Sequence, residues 1–327
     1  MHRRTLLGSA STALALAVVP DASAQETYPA RPMRLLVPFS AGGTTDVFAR
    51  KYAERIGRVL NQSVVVENKA GASGAIAATE LARARPDGYT LFFATSTTLA
   101  ILPSMMRQPT YDVERDFIPI ALVGVTPLLL SVNAAVPARS QAELVALIRA
   151  QPGMFSYGTS GVGSANHLAG ELFKLQAGGI DLLHVPYRGS APALQDALAG
   201  RSGVFIDSFV TLLQHHREGR MRILSVFSET RSVLAPEIPT ASEAGLPGMV
   251  AGSFQVVCAP IGTPPAVVAT LERATAEIMR DAAFQQELLA LSIEPVADTT
   301  PARTRDYVRN ELAKWAPIIR ATGVTLD

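Results

Sequence analysis

The sequence predicts an α/β fold of strand–loop–helix units divided between two domains, on three observations. Leu35–Leu60 runs from an apolar strand ending at Val37-Pro38-Phe39, through a loop of small residues, into a segment where Phe48, Tyr52, Ile56 and Val59 recur at helical spacing. The same order returns at Phe155–Ala177, where Phe155-Ser156-Tyr157 enters the glycine-rich stretch Gly158–His167 and Leu168, Leu172 and Leu175 mark a helix face. The two loops lie about a hundred residues apart, which fits one loop in each of two similar domains. A chain of 327 residues, 48% hydrophobic and 6% aromatic, has enough apolar side chains for two ordinary cores.

In the first unit the loop reads Ser40-Ala41-Gly42-Gly43-Thr44, and Thr45 and Asp46 can serve as N-cap and first-turn residue. Backbone N–H groups of the loop and the positive end of the helix then face one point, which favours an anion. A parallel α/β unit also needs a glycine turn there, so the stretch alone is compatible with a purely structural loop.

The first residues read as a processing segment. Arg3-Arg4 precedes the apolar run Leu6–Val19, Pro20 breaks it, and Ala22-Ser23-Ala24 supplies the small residues of a signal-peptidase site. Residues 1–24 are therefore expected to be removed, leaving Gln25 as the mature N-terminus, and the paired arginines leave the general secretory and twin-arginine routes both open. Of 29 basic and 28 acidic side chains, Arg3, Arg4 and Asp21 fall in that segment, so the remainder is neutral overall. That argues against a nucleic-acid surface. Cys258 is the only cysteine, which excludes an internal disulfide, and with no cysteine near the cleavage site a lipid anchor there is not expected.

Taken in order, Ser63–Glu67 is a β-branched strand, and Asn68–Gly74, ending in Gly71-Ala72-Ser73-Gly74, leads into a helix over Ala75–Ala84 with Ile76, Glu80 and Leu81 at its spacing. Asp87-Gly88 turns into the strand Tyr89–Ala94, whose carboxyl end carries Thr95 and Ser96, hydroxyls of the kind a ligand crevice uses. Ile118–Val132 is charge-free, as a buried strand or interdomain crossing would be. Ser140 and Glu143 form a capping box for a helix through Ile148. Leu182–Pro186 is a strand, Tyr187-Arg188-Gly189-Ser190 turns into a helix with Ala191, Leu194 and Leu198 inward, and Gly203–Ile206 ends at Asp207-Ser208. Met221–Phe227 follows an amphipathic His215–Arg220 segment, and Phe254–Ala259 is again apolar. Thr263-Pro264-Pro265 opens a helix with Val267, Leu271, Ala274 and Ile278 on one face, and a last helix runs from about Thr300 to Ala321.

Enzyme signatures are missing. Gly158-Thr159-Ser160-Gly161 and Gly71-Ala72-Ser73-Gly74 each place the second glycine one residue early for a nucleophile elbow. Gly161-Val162-Gly163-Ser164-Ala165-Asn166 departs from the dinucleotide fingerprint at Asn166. The histidines His2, His167, His184, His215 and His216 form no zinc-ligand pattern. His167 reads as a loop-closing residue, Asp207 as a cap or loop acceptor, and Arg188 as a turn residue that, at a crevice mouth, can attract an acid.

Several motifs together resemble one family. They are Tyr28-Pro29-x-Arg31-Pro32, Pro38-Phe39-x-x-Gly42-Gly43-x-Thr45-Asp46, Val65-Val66-Glu67-Asn68-x-x-Gly71-Ala72, Pro86-Asp87-Gly88-Tyr89-Thr90, Gly161-x-Gly163-Ser164-x-x-His167-Leu168-Ala169-Gly170-Glu171 and His184-Val185-Pro186-Tyr187-x-Gly189-Ser190-Ala191-Pro192. They look like the tripartite tricarboxylate transporter substrate-binding family, the Bug periplasmic solute-binding proteins, and Asp116-Phe117, Pro239-Thr240, Glu243-Ala244-Gly245 and Gly262-Thr263-Pro264 extend the likeness along the chain. The resemblance implies a type II, Venus-flytrap fold with two crossing segments. It assigns residues 26–125 and 254–327 to one domain and 126–253 to the other. It also implies a ligand site at Phe39, Ser40, Ala41, Gly42, Gly43, Thr44, Thr45 and Asp46, at Gly71–Gly74, at Thr95 and Ser96, at Thr159, Ser160, Gly161, Gly163, Ser164 and His167, and at Tyr187 and Asp207. Two departures stand out: Ala41 and Thr44 occupy positions usually held by Pro and by Gly or Ser, and Ser202 replaces an aliphatic residue.

The residues agree with that implication on their own account. Opposed helix N-termini with small uncharged loops can bind a carboxylate through N–H groups, hydroxyls and water without an arginine. The expected function is capture of a small carboxylate, such as aspartate, glutamate, citrate, nicotinate or a terephthalate-like acid, for a membrane transporter of the tripartite type, by a monomer with no cofactor and no metal. Two other functions remain open from sequence: a sensor subunit presenting its closed form to a membrane partner, and a hydrolase or transferase using Asp207 or His167.

Overall fold

The computed structural model describes residues 28–187, 189–323 and 325. The expected signal peptide, residues 1–24, and Arg188 lie outside the described residues. The chain opens with β1 (Met33–Val37), α1 (Thr44–Val59), β2 (Val64–Asn68), α2 (Ala75–Ala82) and β3 (Thr90–Thr95). Short helices α3 (Leu102–Met105) and α4 (Val113–Asp116) lead to β4 (Phe117–Asn133), a strand of 17 residues. There follow α5 (Gln141–Ala150), β5 (Ser156–Thr159), α6 (Ala165–Gln176), β6 (Leu183–Pro186), α7 (Ser190–Leu198), β7 (Val204–Ser208), α8 (Phe209–Arg217) and β8 (Met221–Val226). The chain ends through β9 (Gly252–Pro260), α9 (Pro265–Met279), α10 (Ala282–Ala290), β10 (Glu294–Pro295) and α11 (Pro301–Thr322).

The strands join in the order β2-β1-β3-β9-β4-β7-β5-β6, with β8 and β10 also paired to β4. β4 is the spine. Its first part pairs antiparallel with β9 and its last part antiparallel with β7 and β8, so one continuous strand carries the chain from the first set of units into the second. β1, β2 and β3 are mutually parallel, as are β5, β6 and β7. β9 brings the chain back, pairing with both β3 and β4.

Three apolar clusters fix the helices. Phe48, Tyr52 and Ile56 of α1 pack with Leu271 and Ile278 of α9 and Phe284 of α10 over β1, β3 and β9. Phe48 meets Phe93 edge-on at 5.0 Å, and the Tyr52 hydroxyl lies 2.7 Å from Thr275 Oγ1, so the buried phenol is satisfied. On the other face Leu81 of α2, Leu168 of α6 and Trp315 of α11 share one large cluster. Ala193 and Ala197 of α7 and Phe209 and Leu212 of α8 close a third against β7 and β8.

Several sequence expectations shift. The helix α1 begins earlier than Thr45: Gly43 is its N-cap. In α2, Ile76 faces solvent and Glu80 pairs with Arg34, while Ala77, Ala78 and Leu81 face the core, because alanines let that helix lie close to the sheet. Leu175 is exposed and Phe173 takes its place in the core. In α7, Ala193 and Ala197 are the buried positions, whereas Ala191 is exposed and Leu194 and Leu198 are half-buried. The Ser140 cap accepts from Glu143 N as expected, but the Glu143 carboxylate takes the N–H of Arg139. Ser202 is buried with its hydroxyl on the carbonyls of Val204 and Ser156, so this departure from an aliphatic residue is a local, satisfied change. The helices α8 and α10 were not expected from periodicity.

Candidate functional site

Parallel strands end at one edge, and the loops that follow them meet there. In the first set, Asn68 Nδ2 donates to Phe39 O at 2.9 Å, tying the end of β2 to the loop after β1. Gly74 sits so close to Thr98 and Pro38 that a Cβ there would fall 2.6 Å and 2.9 Å from their side chains. In the second set, Tyr187 N donates to Thr159 O at 3.0 Å and Gly189 N to Ser160 O at 3.1 Å.

The register of β4 orients the two edges. Thr95, the last residue of β3, is opposite Gln255, which is opposite Gly124. Ser208, the last residue of β7, is opposite Leu128 on the same strand. β3 runs with β4 and β7 against it, so both rows of carboxyl ends point into the span between residues 124 and 128, about 13 Å at ~3.3 Å per residue. This is where open α/β sheets bind ligands.

The helices that start at these edges are mostly left without side-chain caps. Gly43, Gly74, Gly189 and Ser208 precede α1, α2, α7 and α8 without a capping side chain. Helices starting elsewhere are capped by Asp112, Ser140, Asp281 and Thr300, with the short α3 and α9 the exceptions. First-turn N–H groups of an uncapped helix need an outside acceptor, and an anion supplies one. At α6 the Ser164 hydroxyl lies 3.4 Å from His167 N.

The expected site residues divide by what they touch. Ser40, Ala41, Gly42, Gly43 and Thr44 are exposed, and Phe39 and Thr45 half-buried. Asp46 is buried and turned inward: its carboxylate accepts from Gly42 N, Asn68 Nδ2 and Arg50 Nε. Burial raises its pKa, but those three donors outweigh burial and hold it below the usual range. It therefore shapes the loop. The run Gly71, Ala72, Ser73 and Gly74 has positive φ throughout, and for Ala72 and Ser73 that is a strained conformation.

In the second edge, Asn166 Oδ1 accepts from the hydroxyls of Ser160 at 3.0 Å and Ser164 at 2.6 Å, and Asn166 Nδ2 lies 3.3 Å from Asp207 Oδ2. Asp207 also accepts from Ser190 Oγ at 2.6 Å, Thr211 Oγ1 at 2.9 Å and Ser208 N at 2.8 Å. One carboxylate thus joins three loops. The Tyr187 hydroxyl donates to Asp196, pointing the ring along α7. His167 Nδ1 accepts from Gly163 N, and its ring stacks on His184. Burial lowers the pKa of both, that of His184 to about 4.

Asn166, Ser190 and Gln255 were not among the expected site residues. A hydroxyl or amide that ends a strand or opens a helix was the available signal for Ser190 and Asn166. Nothing local marked Gln255, which sits inside an apolar run. Among the described residues no group of three or more His, Cys, Asp or Glu is placed to hold a metal ion, and no helix is long and apolar enough to cross a membrane.

Residues 48–324 match the family model described as Tripartite tricarboxylate transporter family receptor. The chain is 37% identical over 327 residues to Protein BugT of Bordetella pertussis, covering 100% of each. Among solved structures, R. palustris Rpa4515 with adipate is similar with a TM-score of 0.75 and 35% identity, covering 91% of this chain and 99% of that one. MatC (Rpa3494) from Rhodopseudomonas palustris with bound malate gives 0.72 and 29%, covering 89% of this chain and 100% of that one.

Proposed function

The chain belongs to the tripartite tricarboxylate transporter receptor family, periplasmic solute-binding proteins rather than enzymes, and on that premise we propose that it captures a small carboxylate between the two facing rows of strand ends and delivers it to a tripartite tricarboxylate-type membrane transporter. The observation that carries this is the set of uncapped helix starts, α1 and α2 from one side and α7 and α8 from the other, aimed into the span 124–128 of β4. Residues 26–125 and 254–327 act as one lobe and 126–253 as the other. The chain works as a monomer, exported by removal of residues 1–24.

Loops Ser40–Thr45, Gly71–Gly74 and Thr159–Ser164 contain no lysine or arginine. Backbone N–H groups and hydroxyls hold the carboxylate, and the lobes close to exclude water. Rpa4515 with adipate and MatC with malate support an organic acid of a few carbons as cargo.

Thermal denaturation of the mature protein against a panel of small mono-, di- and tricarboxylates and amino acids tests this. A binder of the native state at a hundred times its dissociation constant adds about 2.7 kcal/mol, raising the melting temperature by several degrees. A panel in which no acid raises it, while a neutral solute does, would overturn the proposal.

A further inference from the structure

We propose that Thr95 and Gln255 form a polar row at the floor of this cleft that selects acids bearing a hydroxyl over the same acids without one. The inference rests on the carboxylate-capture reading above and adds the substrate class.

Thr95 on β3 and Gln255 on β9 are directly opposed in an antiparallel pair, so their side chains share one face of the sheet, with Cβ atoms about 5 Å apart. That face also carries Phe93 and Val257, under α1. Thr95 is 2% exposed and Gln255 4%. Yet Thr95 Oγ1 and Gln255 Oε1 have no hydrogen-bond partner, although buried polar groups are nearly always paired. Gly124, the next residue across the row, makes room for the amide: a Cβ there would lie 3.2 Å from Gln255 Oε1 and 2.9 Å from Phe48 Cε1. Two residues further along β9, Ser253 is half-buried and its hydroxyl meets that of Ser96 at 3.3 Å. The orphaned row therefore lies under Phe48 of α1 and ends at the crossing where the strand ends converge.

The donor and acceptor inventory decides which ligand group fits. A carboxylate oxygen only accepts, so it pairs with the threonine hydroxyl and leaves the amide oxygen alone. A methylene satisfies neither. A hydroxyl donates to Gln255 Oε1 and accepts from Thr95 Oγ1, and it still pairs with both if the amide is turned end for end. A site with buried hydrogen-bonding groups discriminates strongly against an analogue that leaves them unpaired.

Calorimetric titration of the full mature protein with malate against succinate, and lactate against propionate, tests the inference in wild type, Gln255→Met and Thr95→Val. The expected result is a preference of roughly tenfold or more for the hydroxy acid in each pair that binds the wild type. Gln255→Met and Thr95→Val should each reduce it to about threefold or less by weakening the hydroxy acid alone. Binding of both members of a pair with equal affinity by the wild type, or variants that weaken both members alike, overturns the inference and leaves carboxylate capture standing. If the denaturation panel yields no acid ligand at all, the failure belongs to the carboxylate reading itself.

Discussion

Gly163 donates its backbone N–H to His167 Nδ1 at 3.0 Å, and the His167 ring stacks at 3.9 Å on that of His184, whose Nε2 lies 2.7 Å from Thr159 Oγ1. The chain of contacts ties both ends of the loop between β5 and α6 to one pair of neutral imidazoles. Glu171 and Lys174 are the charged groups that face it, and they pair with each other at 3.0 Å.

Protonation of His184 is opposed first by burial and then by the adjacent His167, which lowers its pKa from 6.5 to about 4. The unfolded chain thus binds more protons between those values. The contribution is fully present above pH 6.5 and is lost as pH falls toward 4. After allowance for the partial exposure of the ring, the expected loss is about 1 kcal/mol. Denaturant unfolding as a function of pH should show it, and His184→Phe should flatten that part of the profile. An unchanged profile in the variant contradicts the assignment.

Gly43 lies at φ −77, a conformation alanine adopts freely, and a Cβ there meets only Ser40 O at 3.8 Å. Gly43→Ala is therefore expected to fold with stability within about 0.5 kcal/mol of wild type. It places a methyl group at the uncapped start of α1, so affinity for the acid should drop roughly tenfold or more. Unchanged affinity would mean that α1 does not touch the ligand. Gly163 is a poorer position for this test, since its φ of +76 strains any substituent.

Ser73 is held at φ +54 between Ala72 at +45 and Gly74 at +98. Glycine adopts that geometry at less cost, so Ser73→Gly should stabilise the free protein by up to about 1 kcal/mol and weaken ligand binding by removing a hydroxyl and loosening the loop. Denaturant midpoints and calorimetry on one preparation measure both. Equal or tighter binding would show that the strain serves only the turn.

Salt distinguishes neutral donors from a charged clamp. Buried N–H and hydroxyl contacts are screened far less than exposed ion pairs, so the dissociation constant should change only about threefold or less between 50 mM and 500 mM salt. A steep dependence would direct attention to Arg188.

The parallel units, the long crossing strand and most of the loops were legible in the sequence because glycine turns, β-branched runs and helical spacing are local signals. Val37, Asn68 and Thr159 end their strands within a residue or two of where the pattern places them. Inward faces were less legible where alanine does the packing, as with Ala77, Ala78, Ala193 and Ala197, because hydropathy points instead to larger neighbours such as Ile76 and Leu194. The partners of Asp207 and the burial of the unpaired Gln255 amide depend on which strands become neighbours. No local spacing encodes that, and so Ser190, Asn166 and Gln255 entered the site only through the fold.

Trp315 is buried in the core with its indole N–H on Glu311, so intrinsic fluorescence is a poor reporter of the cleft. Hydrogen exchange of the mature protein with and without the acid that most raises its melting temperature is the direct measurement. The central claim predicts added protection at residues 42–47 and 71–75 on one side and at 160–164, 189–192 and 208–211 on the other, at the same ligand concentration. Protection confined to one of the two groups, or appearing elsewhere in the molecule, would contradict a site built from both rows of strand ends.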